Sequence, residues 1–261
     1  MIRLKNEKQI DGIRKSCKML SAMYRELIPL IKTGVRTIEI DRWVYDWIIR
    51  AGGKPAFLNY VNKGDKIPYP ASICISINNE VIHGIPSGRR LADGDLVSLD
   101  GGIDLGGFIS DQTVTLEMGK VSPEVHRLSE TTRECLYAGI NAARAGERLH
   151  QISRAVQEIA KNAGYGIVHQ FSGHGVGFDV HEEPMVTNIP RGSNPRLIAG
   201  MVLAIEPMIN MGTGDVNILD DGWTVVTGDG KVSAHWEHTI AIFADHTEIL
   251  TDRLDPTGAS G

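Results

Sequence analysis

An α/β (α+β) fold is predicted, built from two duplicated helix-helix-strand halves that share a curved antiparallel sheet covered by helices on its outer face. Three observations predict it. One phrase is written twice: Leu91-Ala92-Asp93-Gly94-Asp95-Leu96-Val97-Ser98-Leu99-Asp100 and Leu197-Ile198-Ala199-Gly200-Met201-Val202-Leu203-Ala204-Ile205-Glu206 both read L-x-x-G-x-[LV]-[VL]-x-[LI]-[DE]. A second phrase follows each copy, Asp111-Gln112-Thr113-Val114-Thr115-Leu116 and Glu237-His238-Thr239-Ile240-Ala241-Ile242. Helical punctuation precedes each copy, and the interval from Gly34 to Gly52 equals that from Gly146 to Gly164.

The elements follow in order. From Ile10, apolar residues recur at Ile13, Cys17, Leu20, Tyr24, Leu27, Ile28 and Ile31, which is helical spacing stopped by Gly34. Thr37 then caps a second helix carrying Ile40, Trp43, Val44, Trp47 and Ile48, closed by Gly52-Gly53. The first strand phrase comes next. In the second half, Ser122-Pro123-Glu124 starts a helix with proline in its first turn, running to about Gly146. Another helix, marked by Leu149, Ile152, Val156 and Ile159, ends at Gly164. Gly228-Asp229-Gly230 reads as a hairpin turn between Thr224-Val225-Val226 and the strand leading to Glu237.

Period-two alternation decides which way the acids face. Asp100 shares its face with Ser98, Asp111 with Thr113 and Thr115, Glu206 with Ala204, and Glu237 with Thr239. The opposite faces (Val97 and Leu99, Val114 and Leu116, Leu203 and Ile205, Ile240 and Ile242) suit coverage by helices. A bare carboxylate inside such a run costs several kcal/mol unless it is paired, protonated or bound to metal. Matched placement in both halves therefore points to a two-metal site.

Composition bounds the function. With 261 residues, 42% hydrophobic and 23% charged, the chain can bury a sizeable core. Its net charge of −5 gives no reason to invoke nucleic acid. The N-terminal Lys5, Lys8, Arg14, Lys15 and Lys18 alternate with Glu7 and Asp11 and read as a solvated helix face. Three scattered cysteines, Cys17, Cys74 and Cys135, lack metal or redox spacing and fit a reduced, cytoplasmic protein. No signal-like h-region and no apolar run near the ~18 residues of a membrane span is present, so neither export nor a membrane is expected. Residues 1–250 are expected to form one catalytic domain, with pseudo-twofold halves of about 1–120 and 121–250, followed by a flexible tail over 251–261.

Asp100, Asp111, Glu206 and Glu237 supply oxygen ligands, and His174, between Gly173 and Gly175, is the best nitrogen ligand. That hard, anionic set suits Mn²⁺, Fe²⁺ or Co²⁺, with Zn²⁺ also admissible. His181-Glu182-Glu183-Pro184 is no zincin helix, because Met185 stands where a second histidine is needed and Pro184 would break the helix. His181 and His83, the latter in a turn after an apolar strand, read equally as structural residues or, beside a two-metal site, as hydrogen-bond donors to a carbonyl oxygen or a leaving nitrogen. His126, His150, His169 and His246 read as surface or helix residues.

Cys74-Ile75-Ser76-Ile77-Asn78 through His83-Gly84-Ile85-Pro86, the Asp100/Asp111 pair, Gly173-His174-Gly175-Val176-Gly177, His181-Glu182-Glu183-Pro184, Ile205-Glu206-Pro207 and Glu237-His238-Thr239 together resemble the type I methionine aminopeptidases. The resemblance runs from the N-terminal helix to about residue 250. It implies the pita-bread fold and removal of the initiator methionine from nascent chains. It also implies two divalent ions holding a bridging water, activated as hydroxide. Asp100 would bind one ion bidentately, Asp111 and Glu237 would bridge both, and His174 and Glu206 would complete the other. Glu206 would be general base and proton shuttle, with His83 and His181 as catalytic histidines. Tyr69, Cys74, Trp223 and Val180 would line the methionine pocket, and the substrate's free amine would bind a metal.

The expected partners are peptide or nascent-chain N-termini, with the ribosome implied by that substrate, and a monomer is expected because the fused halves complete the site. Three positions depart from the pattern. Val180 stands where phenylalanine often forms a pocket wall, Lys66 where an aromatic is common, and His235 where glutamine is usual, reading as a polar filler. Two other readings remain. One is a proline-directed peptidase of the same fold, akin to aminopeptidase P or prolidase. The other is a non-catalytic binding module, which would predict missing acids.

Overall fold

The computed structural model describes residues 1–62, 64 and 66–254. Four α-helices flank antiparallel sheets, and each half contributes two helices ahead of its strands. Helix α1 (Glu7–Leu27) begins at a capping box in which Asn6 and Gln9 satisfy each other's backbone N–H groups. Its buried stripe is Ile10, Ile13, Cys17, Leu20, Tyr24 and Leu27, as the spacing predicts. Each such large apolar side chain, fully enclosed, stabilises by roughly 1.5–3 kcal/mol.

Helix α2 (Thr37–Arg50) starts at the residue expected to cap it, so its cap lies one residue earlier. Arg36 holds the cap position, its N–H donating to Glu39 at 3.0 Å. The Thr37 hydroxyl is instead engaged by the loop at Ser87, whose N–H reaches it at 2.8 Å. Helices α3 (Pro123–Ala142) and α4 (His150–Asn162) supply the matching pair in the second half.

The duplication is visible atom by atom. Gly34 N–H donates to the Leu91 carbonyl and Gly146 N–H to that of Leu197. Leu91 N–H returns to Val35 and Leu197 N–H to Glu147. Arg90 and Arg196 then cap the Gly34 and Gly146 carbonyls at 2.6 and 2.7 Å. Both glycines sit at φ +91°, a left-handed conformation that a Cβ would strain. The same clasp thus ties each helix pair to the start of its strand phrase.

In the first half, the hairpin Leu96–Asp104 and Ile109–Glu117 pairs Asp100 with Thr113 and Gly102 with Asp111. Ile73–Ile77 lies on its other side, with Cys74 opposite Asp100. In the second half, Val202–Ile205 runs between His238–Ile242 and Ser172–Gly175. Among the described residues every pairing is antiparallel, but the strands divide into two larger and two three-stranded sheets rather than one continuous sheet.

Two threonines join the halves. Thr239 Oγ1 donates to the Asp111 carbonyl at 2.7 Å, and Thr113 Oγ1 donates to Glu237 Oε2 at 2.9 Å. The acid-bearing strands of the two lobes therefore face each other at one seam. The Tyr24 hydroxyl pins α1 to the same place, within reach of the Leu99 and Gln112 carbonyls at 3.0 and 2.9 Å.

Two sequence expectations differ from the fold. Gly228–Gly230 does turn the chain, but Val225–Thr227 and Ser233–His235 enter different sheets, so no hairpin forms there. The turn is held sideways instead, because Asp229 accepts from Thr213 N–H and Gly228 donates to Asp215. The tail also stays anchored beyond Thr251: Asp252 pairs with Lys18 and Arg25, and its N–H donates to Ser21. The remainder of the expected tail, 255–261, lies outside the described residues.

Lys5, expected on a solvated face, is buried. Its ammonium meets Glu182 at 2.6 Å, with both side chains 1% exposed. Glu182 also accepts from the Phe178 and Asp179 N–H groups, so the pair fixes the loop that carries Val180 and His181. Replacing Lys5 with methionine takes the buried cation from Glu182 and leaves it only the half-exposed Arg3 guanidinium at 3.3 Å, which should cost up to about 3–5 kcal/mol in urea unfolding. Adding Glu182→Gln to Lys5→Met should recover part of that loss; a single variant as stable as the wild type would contradict the assignment.

Candidate metal centre

Five side chains from both lobes converge on one cavity of about 240 Å³: Asp100, Asp111, His174, Glu206 and Glu237. Asp100 and Asp111 come from the first-half hairpin. His174 lies on Ser172–Gly175, Glu206 just beyond Val202–Ile205, and Glu237 just before His238–Ile242. One ligand atom each from Asp111, His174 and Glu237 fits within 4.8 Å of the others. His174 Nε2 stands 3.2 Å from Glu206 Oε1 and 3.8 Å from Asp111 Oδ2.

The His174 tautomer follows from its other nitrogen. Nδ1 faces the Gly175 carbonyl at 3.0 Å, and a carbonyl only accepts, so Nδ1 carries the proton. In the neutral ring, Nε2 then turns its lone pair toward the carboxylates, as a metal-binding imidazole does. Small neighbours make room. A Cβ on Gly173 would come within 2.4 Å of the Ala204 carbonyl, and one on Gly175 within 2.4 Å of the Glu183 carbonyl.

Packed together, the acids carry a large electrostatic cost. Burial, and then the charge of its neighbours Asp100 and Glu206, pushes Asp111 well above the usual carboxylate range. Glu237 is raised for the same reasons. Burial raises Asp100 to about 6, against the pull of His235. Glu206 goes the other way: burial would raise it, but in the metal-free site the proton-accepting His174 and His235 imidazoles, 3.2 and 3.6 Å away, outweigh that and hold it at about 2. Asp100 Oδ1, Asp111 Oδ1 and Glu237 Oε1 are buried with no hydrogen-bond partner. Orphaned carboxylate oxygens beside an imidazole lone pair fit a divalent cation, which would satisfy all of them at once.

The rest of the cavity is graded in polarity. His83 and His181 flank the acids, and Phe57, Tyr69, Cys74, Val180 and Trp223 form an apolar end. The His83 backbone sits at φ +59°, an uncommon conformation for a bulky residue that aims the ring at the cavity. The ring packs edge-on between Phe171 and Trp223. Desolvation lowers its pKa to about 4. His181 is exposed, yet desolvation by the groups around its ring, and then the nearby His174 imidazole, lower its pKa as well. Burial keeps the Cys74 thiol protonated, far above its ordinary value.

Tyr60 has no counterpart among the sequence candidates. Its hydroxyl lies 2.6 Å from His181 Nδ1. It sits in Asn59-Tyr60-Val61-Asn62, an irregular loop with no periodicity to single it out. Phe57, Asn62 and Phe171 also line the cavity unannounced. Lys66 is exposed and does not line it, whereas the Trp223 indole N–H anchors to the neighbouring Ile67 carbonyl at 3.1 Å.

The profile of metallopeptidase family M24 matches residues 11–244. A methionine aminopeptidase of Treponema pallidum is 52% identical, over 97% of this chain and 97% of that protein. The crystal structure of a methionine aminopeptidase from Rickettsia prowazekii superposes with a TM-score of 0.91 at 35% identity, covering 97% of this chain and 100% of the other. A prolidase from Pyrococcus furiosus shares the fold, with a TM-score of 0.79 at 23% identity, and this chain covers 66% of it.

The raised acids give a pH signature. A folded-state pKa above the unfolded value contributes stability that is full below about pH 4 and is lost as pH rises through the folded value. Asp100, Asp111 and Glu237 are all raised, so the metal-free protein should lose stability as pH climbs past 6. A divalent ion competes with those same protons. The rise in melting temperature on adding Mn²⁺ should therefore be larger at about pH 7.5 than at about pH 5 in scanning calorimetry. Equal rises at both would place the ion elsewhere.

Proposed function

The chain belongs to metallopeptidase family M24, and from that membership we propose how its residues carry out the activity of a methionine aminopeptidase, a metallo-exopeptidase that removes the N-terminal methionine from peptides and nascent proteins. One observation carries the reading: carboxylates with orphaned oxygens and an imidazole lone pair meet at one end of a cavity whose other end is apolar. That geometry grips a free amino terminus beside metal and an unbranched apolar side chain away from it.

Asp100, Asp111, His174, Glu206 and Glu237 would hold two divalent ions, Mn²⁺, Fe²⁺ or Co²⁺ ahead of Zn²⁺ by donor chemistry. Ions held there supply Lewis-acid polarisation and lower the pKa of water toward neutrality.

Around them the protein's own groups divide the work. Glu206 stays ionised near neutral pH and is the group to take a proton from water and return it to the departing amine. If Tyr60 donates to His181 Nδ1, then His181 Nε2 carries its proton and can donate to the scissile carbonyl oxygen. His83, neutral and held between aromatic edges, contacts the peptide nitrogen. Tyr69, Cys74, Val180 and Trp223 receive the methionine side chain, with Cys74 as a soft wall rather than a nucleophile because its thiol remains protonated.

We read residues 1–250 as one catalytic domain working as a monomer in the cytoplasm and meeting nascent chains at the ribosome. No helix among the described residues is long and apolar enough to cross a membrane. The proline-directed alternative has only a likeness of fold behind it.

Hydrolysis of a Met-Ala-Ser peptide with each of the four ions tests the reading. Wild type should cleave it, and Glu206→Ala should lose at least ~10²–10⁴-fold in kcat. Preference for an Ala-Pro peptide would overturn the methionine assignment. Val180→Phe should narrow the apolar end and raise discrimination between methionine and a smaller first residue by about 1–3 kcal/mol, read as a ratio of kcat/KM values. An unchanged ratio would remove Val180 from the pocket wall.

A further inference from the structure

His235 stands immediately behind the candidate centre and is not used by the function proposed above. Its strand, Ser233–His235, pairs with Met208–Asn210, and its side chain is 2% exposed. It does not line the cavity. Neither ring nitrogen has a hydrogen-bond partner, although a buried imidazole must carry at least one N–H. Buried donors without acceptors are rare, so an acceptor just beyond bonding distance matters. That acceptor is Glu206: His235 Nε2 lies 3.6 Å from Oε2, while His174 Nε2 lies 3.2 Å from Oε1. Glu206 is thus held between two imidazoles, one opening on the cavity and one closing it from behind.

We propose that His235 is a positioning residue of the metal centre, donating a hydrogen bond from Nε2 to Glu206 and fixing the orientation in which that carboxylate meets the ions. The backbone of His235 is already fixed, since its carbonyl accepts from the Thr115 hydroxyl on the first-half hairpin. A small turn of the ring or of the carboxylate brings the pair within bonding distance. The N–H also leaves Glu206 Oε1 free to face His174 and the cavity. His235 is then more than a polar filler, because the part it plays depends on a donor at that point and not on its volume. This inference rests on the metallopeptidase reading and extends it to a residue outside the ligand set.

Calorimetric titration of the metal-free protein with Co²⁺, together with the visible spectrum of the Co²⁺-loaded form, tests it. His235→Leu removes the donor, and its Co²⁺ affinity should fall about 10–100-fold, the usual cost of losing a group that orients a ligand. His235→Gln keeps an N–H with similar reach and should recover affinity to within a few-fold, with the wild-type spectrum. His235→Asn stays polar but falls short of Glu206; it should bind as weakly as the leucine variant and replaces it if leucine does not fold. Unchanged affinity in the leucine or asparagine variant would overturn the proposal. So would a glutamine variant that binds as weakly as leucine with an altered spectrum, because His235 would then be a ligand itself. A wild-type protein that took up no Co²⁺ would instead overturn the metal-centre reading on which the inference stands.

Discussion

Burial of four carboxylates in one place, reinforced by their mutual repulsion, is the constraint to which the rest of the structure answers. Asp100, Asp111, Glu206 and Glu237 line one enclosed space, and three of them are pushed toward the protonated form. No lysine or arginine pairs with any of these acids among the described residues. Only His174 and His235 stand close, and two imidazoles cannot neutralise four acids. A fold that keeps such a cluster must recover its cost from something that binds there, and a divalent ion supplies the missing charge. The surrounding structure reads as a frame that denies the acids any other escape.

Duplication explains how that frame is made rigid from both sides. The clasps at Gly34 and Gly146 use the same backbone hydrogen bonds and the same arginine cap to set each helix pair against its strand phrase. Each half thereby delivers two acids at fixed register. The halves then meet through Thr113 and Thr239, whose hydroxyls bond across the seam to Glu237 and to the Asp111 backbone. Threonine suits both positions, being β-branched for the strand and polar for the seam. The acids cannot swing apart without breaking bonds made by their immediate neighbours.

Much of this was legible in the sequence because it rests on local periodicity. Alternation along Val97–Asp100 and Leu203–Glu206 gave the facing of the acids, and equal glycine intervals gave the repeat. Features set by long-range contact were not legible. Lys5 looks solvated in a charge-rich segment, and nothing local reveals Glu182, which lies far away in the chain. Thr37 carries the residue type of a cap, but Ser87 claims its hydroxyl. Gly228-Asp229-Gly230 carries hairpin chemistry, yet partners from 211–216 draw the turn into a different pairing. Tyr60 sits in a loop without pattern and becomes visible only once the cavity brings His181 to it.

The two ends of the cavity pull its chemistry in opposite directions, and the shape of the chain reconciles them. The polar end needs low water content and fixed dipoles, since charge stabilisation weakens in bulk solvent. The apolar end supplies that dryness: Tyr69, Cys74 and Trp223 pack as a buried cluster that continues up to His83. The same wall that would receive a thioether side chain keeps His83 and Cys74 uncharged. Selectivity and electrostatics are therefore not separable here. Opening the wall admits water, water restores charge to groups that must remain neutral, and the loss in selectivity is accompanied by a loss in polarising power. Val180, smaller than a ring and placed one residue before His181, lines that cavity and is where a bulkier side chain would shift the balance.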